Sequence, residues 1–456
     1  MIKSSNKDNY FDFSVGLDIG TSKVCMMISQ KDSASENYNL LGFGITESDG
    51  LSRGVVNNID RVTSAIEKVL TQVQNQSGYA IKDVVVGIAG DHIQTICQKG
   101  LITVSKGDSE ISREDVSRLI DEAKKIAISA DKKIIHTIPL NYTVDSNFNT
   151  IDPIGMAGVR LEADIMLVTA LNSAINNVTK CVERAGLNLK ELVLEPIASS
   201  YATLTDEEKE VGVALVDIGG GTTDIAIYTD RILHYTSVIA VGGKLITSDI
   251  RKVLGITETN AENIKKEFGT CNPIEQDSII NVPLGGGNKP KEIMRSELNS
   301  IIRERCIEMF QYVKYELIQS KKYNDLGAGI ILTGGCALLD GICELAEEVL
   351  ELPVKIGIPR GFSMTALAPD ISSPVFSTAV GLSLFGHHTL EDEKQQIINI
   401  QHHSLQNEKT QNIEHNNTNQ ISDDEANNDL NIKKEEKEPS SKNSLLSKLK
   451  KAIENI

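Results

Sequence analysis

The spacing of apolar positions changes several times along this chain, and each change marks an element. Residues 14–84 read as three strands followed by a helix. Ile59, Val62, Ile66, Val69, Leu70 and Val73 form a stripe of helical period over Ile59–Val73. Ser112-Arg113-Glu114-Asp115 has the spacing of a capping box, which predicts a helix from there to about Ala127. Ile134–Val144 reads as extended, Ile165–Ala170 as a strand and Ser173–Ala185 as a helix. A second block opens at Val211. In it Gly285-Gly286-Gly287 reads as a loop, Ser296–Gln319 as a long helix and Ile330–Leu332 as a core strand.

One pattern occurs twice. Val15-Gly16-Leu17-Asp18-Ile19-Gly20-Thr21-Ser22-Lys23 is an apolar run, an Asp, then glycine and hydroxyls, with a second apolar run after it. Leu215-Val216-Asp217-Ile218-Gly219-Gly220-Gly221-Thr222-Thr223-Asp224 repeats the plan. Each copy reads as a β-hairpin whose turn offers backbone N–H groups and hydroxyls. Two such turns facing each other can clamp a polyphosphate, with Asp18 and Asp217 holding a hydrated cation between them. Thr333-Gly334-Gly335 follows as a third glycine turn.

This arrangement resembles the actin and heat-shock-chaperone ATPase superfamily. Leu51-Ser52-Arg53-Gly54-Val55-Val56-Asn57, Val86-Gly87-Ile88-Ala89-Gly90-Asp91-His92-Ile93 and Ile154-Gly155-Met156-Ala157-Gly158-Val159-Arg160-Leu161 narrow the resemblance to the FtsA family of actin-like cell division proteins. The likeness runs from about Val15 to Gly386 and resumes at the extreme C-terminus. It implies an α/β fold, the actin-like two-domain ATPase fold of repeated βββαβα domains. The first domain (1A) is expected over 14–84 and 166–210, with a 1C subdomain inserted at 85–165. The second (2A) is expected over 211–242 and 325–386, with a 2B subdomain inserted at 243–324.

The resemblance implies ATP and Mg²⁺ as ligands. Gly20, Thr21, Ser22 and Lys23 are expected at the phosphates from one side, and Gly219, Gly220, Gly221, Thr222 and Thr223 from the other. Gly243 joins the nucleotide contacts. Glu262 and Lys265, at i and i+3 on one helix face, meet ribose and adenine. Gly334 and Gly335 meet the adenosine, and Asp18 and Asp217 hold Mg²⁺ through water. Glu195 is a candidate for polarising water, with Asp217 as second choice. Glu195 is equally readable as a structural acid ahead of the helix-starting Pro196. Turnover is expected to be slow or absent.

Composition limits the alternatives. The chain has 456 residues, 40% of them hydrophobic, which suits two or more soluble domains. It has no apolar run of ~18 residues, as a spanning helix needs, and residues 1–12 are too polar for a secretory signal. The seven cysteines are scattered without a Cys-x-x-Cys pair, which fits a reduced cytoplasm. A formal net charge of −17 argues against nucleic acid as a partner.

From residue 387 the character changes. Residues 387–443 hold 12 acidic and 6 basic side chains, much Asn and Gln, and few apolar ones. Such a segment cannot bury enough surface to offset its ordering entropy, so it reads as a disordered tether with solvated histidines. At 100° per residue, Leu445, Leu446, Leu449, Ala452, Ile453 and Ile456 then fall within about 120° of arc. Residues 444–456 therefore read as an amphipathic helix for a membrane surface, and FtsA-like proteins end in such a helix.

The family further implies a partner set. It comprises the C-terminal peptide of FtsZ, docking near Arg295 and Arg305, self-association into filaments, later division proteins through the 1C subdomain, and the inner membrane. The place implied is the cytoplasmic face of that membrane at the division septum. The rival reading is a small-molecule kinase of the same superfold, which would need a general-base Asp in a substrate pocket. A chaperone would need a β-rich substrate domain, which residues 387–456 cannot supply. A rod-shape filament protein would lack the insertion.

Overall fold

The computed structural model describes residues 13–32, 37–104, 110–146, 148–274, 276–283, 290–363 and 371–390. The expected loop at 285–287, the tether beyond 390 and the helix at 444–456 lie outside the described residues.

Strand β1 (Phe13–Ile19) turns back at Gly20–Ser22 into β2 (Lys23–Lys31), which pairs antiparallel with β3 (Tyr38–Glu47). A two-rung ribbon, β4 (Leu51–Ser52) and β5 (Val55–Val56), leads to α1 (Ile59–Ser77). Asn58 caps α1 by accepting from the Arg61 amide, and Gly78, at φ 76°, ends it in a left-handed conformation. The expected stripe is the buried one, with Val62, Ile66, Val69 and Val73 against the sheet. β6 (Asp83–Ile88) then pairs parallel with β1.

The insertion comprises β7 (Gln94–Thr103), α2 (Arg113–Ala123), β8 (Lys132–Val144), β9 (Phe148–Thr150) and β10 (Arg160–Leu171). Its sheet runs β7-β10-β8-β9. Ser112 and Asp115 form the expected capping box, but α2 stops at Ala123, short of Ala127. The chain returns through α3 (Asn172–Arg184), β11 (Asn188–Leu194) and α4 (Glu195–Thr203), giving a first-lobe sheet β11-β6-β1-β2-β3.

The insertion's edges differ from those expected. β6 covers residues 85–88 yet belongs to the first-lobe sheet, between β1 and β11. β10, expected to return at residue 165 to the first domain, pairs along its length with β7 and β8. Its two faces explain the difference. Leu161, Ala163, Ile165 and Leu167 fill the insertion's core, while Met166 and Val168 join a core shared by the lobes. A strand buried on both faces reads as a continuous apolar run, like any central strand.

A short helix, α5 (Asp206–Val211), opens the second lobe. There β12 (Val213–Ile218), β13 (Thr223–Thr229) and β14 (Ile232–Ile239) precede α6 (Gly243–Leu254) and α7 (Glu258–Phe268). The ribbon β15 (Ile279–Val282) and β16 (Lys291–Met294) leads into α8 (Arg295–Gln319). β17 (Ile330–Thr333), α9 (Ile342–Leu350) and β18 (Val354–Ile356) follow. The sheet runs β14-β13-β12-β17-β18. Three antiparallel strands are followed by two parallel ones, in the same order as in the first lobe.

Residues 377–390 form a helix that packs against both lobes. Its start donates from Thr378 Oγ1 to Asp217 Oδ2 at 3.3 Å, and its middle crosses Gly16 so closely that a Cβ there would meet the Ser383 amide at 2.5 Å. It also corrects the expected start of the tether, because His387 is buried. The ring stacks on Tyr38 at 4.5 Å, and its Nε2 lies 3.0 Å from Ser29 Oγ.

Candidate functional site

The two repeated hairpins bring their turns into contact across the lobe boundary. In each the first glycine amide donates across the turn, Gly20 to the Lys23 carbonyl and Gly219 to the Thr222 carbonyl, both at 2.9 Å. A Cβ on Gly220 would run into Ser22 Oγ, and one on Gly221 would come to 2.5 Å from Thr21 Oγ1. Only glycine lets these backbones approach so closely. Thr222 and Thr223 direct their hydroxyls inward, Thr222 to Asp224 Oδ2 at 3.0 Å and Thr223 to the Val241 carbonyl at 2.8 Å.

Below the turns lies a group of carboxylates, with Asp18, Asp217 and Asp224 buried and Glu195 half-buried. Asp18 forms an ion pair with Lys23. Asp217 accepts from Ser199 Oγ at 2.7 Å and from Thr378. Asp224 sits directly across the hairpin from Asp217, and its Oδ1 is buried with no hydrogen-bond partner. Glu195, at the start of α4, packs over Gly87, where a Cβ would meet its Cγ at 3.0 Å. Burial, then Asp18, Asp224 and Asp217, push the Glu195 carboxyl well above its usual range, against the opposing pull of Lys23. Burial and Asp217 do the same to Asp224. Burial also raises Asp217, although Ser199 and Lys23 pull it down. Burial works against the Lys23 charge, but Asp18, Cys25 and Asp217 outweigh it and the pKa rises.

Four mutually repelling carboxyls around one ammonium, with one oxygen orphaned, make a donor set suited to a divalent cation. Among the described residues no three His, Cys, Asp or Glu side chains are placed to ligate an ion together. A cation among them would be held largely through water rather than by three direct carboxylate bonds.

The predicted base-side residues lie on α6 and α7. Lys265 is 8% exposed and donates to Glu262 Oε2 at 2.7 Å, Thr247 Oγ1 at 2.8 Å and the Gly243 carbonyl at 3.2 Å. Burial raises the Glu262 carboxyl, but Lys265 outweighs it and the pKa falls. The Gly243 amide donates to the Gly219 carbonyl at 2.9 Å, so α6 starts on the second phosphate-type turn. Gly334 has φ 85°, and a Cβ there would collide with Asp217 Oδ1. A Cβ on Gly335 would meet nothing within 4 Å. Asp18, Gly20, Thr21, Ser22, Lys23, Glu195, Asp217, Gly219, Gly220, Gly221, Gly243, Glu262, Lys265 and Gly334 are thus linked by a run of close contacts from the first lobe to the second.

Two members escaped the sequence reading. Asp224 lies inside the second repeat, and the hairpin register that pairs it with Asp217 is its signal. Lys244 reaches across the lobes to the Thr21 carbonyl at 2.7 Å, a contact between distant segments that no local pattern announces.

Arg295 and Arg305 share α8. Arg295 Nε donates to the Phe268 carbonyl at 3.2 Å. Arg305 is half-buried, bonded to Asp249 at 2.5 Å and paired with Glu308. Its charge is balanced within the fold rather than held out as a basic spot. Beside Arg295, Ile279 and Met294 face each other across the β15–β16 ribbon, and both are exposed.

Comparisons with known proteins agree with this architecture. A family model described as "Cell division protein FtsA" matches residues 214–381, and one described as "SHS2 domain inserted in FTSA" matches 90–169. The chain is 39% identical to the cell division protein FtsA of Pseudomonas aeruginosa over 374 residues, 82% of this chain and 88% of that one. It is 34% identical to the Escherichia coli K12 protein of the same name, over 82% of this chain and 90% of the relative. Among solved structures, a PilM–PilN type IV pilus biogenesis complex aligns with TM-score 0.59 at 18% identity, covering 82% of this chain and 98% of that one. MreB5 of Spiroplasma citri bound to ADP aligns with TM-score 0.51 at 15% identity, over 84% and 98%. The fold is actin-like, and the SHS2 insertion corresponds to the expected 1C subdomain.

Proposed function

Because this chain belongs to the FtsA family of actin-like cell division proteins, we propose that it binds ATP with Mg²⁺ between its lobes and tethers the FtsZ ring to the inner membrane. The observation that carries the reading is the pair of Asp-containing glycine hairpins, brought turn to turn over the carboxylate cluster. Gly20, Thr21, Ser22 and Lys23 would meet the phosphates from one side, and Gly219, Gly220, Gly221 and the Thr222–Thr223 backbone from the other. Asp18 and Asp217, joined by Asp224, would hold Mg²⁺ through water, and the ion would neutralise phosphate charge. Glu262 and Lys265 would face ribose and adenine, with Gly335 opening the wall opposite. The adenine nucleotide in the MreB5 structure belongs to a protein of the same fold and is compatible with this assignment.

Glu195 is proposed to orient water near the terminal phosphate, with turnover slow or absent. Burial and the neighbouring Asp18, Asp224 and Asp217 raise its carboxyl well above the usual range, so it holds a proton more readily than an exposed Glu. Self-association would use the fold's lobes and the SHS2 insertion, and that insertion would also receive later division proteins. The FtsZ tail is proposed to dock along the α8 surface that carries Arg295 and Arg305, and beside Arg295 the exposed Ile279–Met294 pair adds apolar surface. The apolar arc Leu445, Leu446, Leu449, Ile453 and Ile456 is proposed as the membrane anchor on the cytoplasmic face at the septum. No helix among the described residues is long and apolar enough to cross a membrane.

A small-molecule kinase is not favoured, because the relatives spanning most of the chain are cell division proteins. Sedimentation with anionic lipid vesicles tests the adaptor reading. With ATP and Mg²⁺ present, the full chain should carry FtsZ down with the vesicles. FtsZ left in the supernatant while this chain pellets would contradict it.

A further inference from the structure

We propose that His136 is a positioning residue for Glu195: from strand β8 of the insertion it holds the start of α4, and so sets where the Glu195 carboxyl stands among the neighbouring acids. The inference rests on reading Glu195 as the group that orients water.

The need arises at the start of α4. A helix leaves its first amides without partners inside itself. In α2 and α5 a capping box supplies an acceptor for the N-cap amide, through Asp115 on Ser112 and Glu208 on Thr205. α4 has no such device. Its N-cap is Leu194, whose side chain makes no capping bond, and its third residue is Ile197, which carries no side-chain acceptor. Leu194 also ends β11, which is the edge strand of the first-lobe sheet, so no further strand of that sheet covers it. The acceptor comes instead from the insertion. The Leu194 amide donates to His136 Nε2 at 2.9 Å.

The insertion is shaped to deliver this ring. Val168 pairs with His136 and Thr169 with Ile134, so β8 carries an extra residue, Ile135, beside the histidine. Such a bulge re-aims the side chain next to it. Ile135, Ile138 and Leu140 pack against the core that holds Val193, Leu194 and Ile197, which seats β8 on the junction of β11 and α4. Burial pushes the His136 pKa down to about 4, so the ring is neutral near neutral pH and Nε2 keeps the lone pair that the amide needs. Glu195 follows Leu194 directly. Its side chain packs over Gly87, where burial, Asp18, Asp224, Asp217 and Lys23 together set the state of its carboxyl. A shift of the backbone just before Glu195 moves that carboxyl relative to all of them. The insertion therefore reaches the carboxylate cluster through a single hydrogen bond, and a partner that moves β8 would be felt at Glu195.

The test is thermal unfolding of the full chain in EDTA at pH 8, as a double-mutant cycle between the two residues. His136→Leu removes the acceptor, whereas His136→Gln keeps one. Glu195→Gln should raise the melting temperature of the unmutated chain by relieving carboxylate repulsion. In the His136→Leu background that gain should fall by at least half, because Glu195 is no longer held among the other acids. In the His136→Gln background it should be kept. A merely structural histidine would lower every melting temperature and leave the gain alone. An undiminished gain in His136→Leu therefore overturns the proposal, and so does an equal loss of the gain in His136→Gln. No gain in the unmutated chain overturns the placing of Glu195 in the cluster, and with it both the water-orienting reading and this inference. NMR of the unmutated chain gives a second readout that needs no variant to fold. A nitrogen–nitrogen coupling across the hydrogen bond should link the Leu194 amide to His136 Nε2, and its absence overturns the proposal.

Discussion

Gly334 and Gly335 stand side by side yet tolerate different changes. Gly334→Ala would force a side chain into left-handed backbone and against Asp217, at a cost of order 1–3 kcal/mol. Gly335→Ala enters open space and should melt like the unmutated chain, and thermal unfolding separates the two. The carboxylates make a second prediction at this scale. Glu195 and Asp224 hold protons more tightly folded than unfolded. Their contribution to stability is therefore full below the ordinary carboxylate pKa of ~4.3 and is lost as pH rises through their raised values. In EDTA, Glu195→Gln should raise the melting temperature at pH 8, where the repulsion it relieves is present, and leave it nearly unchanged at pH 4. An equal shift at both pH values would contradict the assignment. Sequence carried much of this scale, because Asp18, Asp217 and the glycines sit in one repeated local phrase. It did not carry Lys244 or the balanced charge of Arg305, whose partners come from other segments.

At the scale of elements, the helical stripes were the most legible, since a surface helix buries one face and shows the other. α1 and α8 lie close to where their patterns put them. β10 was misplaced because both its faces are buried, and the start of the tether because His387 is polar yet stacked inside the first lobe. The α8 surface yields a prediction that treats its two arginines differently. Arg295→Glu should weaken binding of a labelled FtsZ tail peptide about tenfold, or ~1.4 kcal/mol, in fluorescence anisotropy. Arg305→Glu should also lower stability, because it sets a third acid beside Asp249 and Glu308. Unchanged peptide affinity in a folded Arg295→Glu variant rules this surface out. The terminal arc makes its own prediction. Leu449→Glu should release the chain from anionic vesicles, since it places a charge at the centre of the apolar face. Pelleting equal to that of the unmutated chain would remove residues 444–456 from the account.

At the scale of the molecule, two five-stranded sheets of one topology place matching Asp-Ile-Gly turns against each other, and the helix at 377–390 touches both lobes. A divalent cation bound with the polyphosphate would relieve the repulsion among Asp18, Asp217, Asp224 and Glu195, because it reverses the electrostatics of the cluster. The measurement that tests this most directly is a calorimetric titration of ATP with Mg²⁺ into the full chain and into Gly335→Asp, a variant whose added carboxylate points into open space. The account predicts one site per chain in the unmutated protein and none in the variant, with the two proteins melting alike. A folded unmutated chain that takes up no ATP at high micromolar concentration would contradict it.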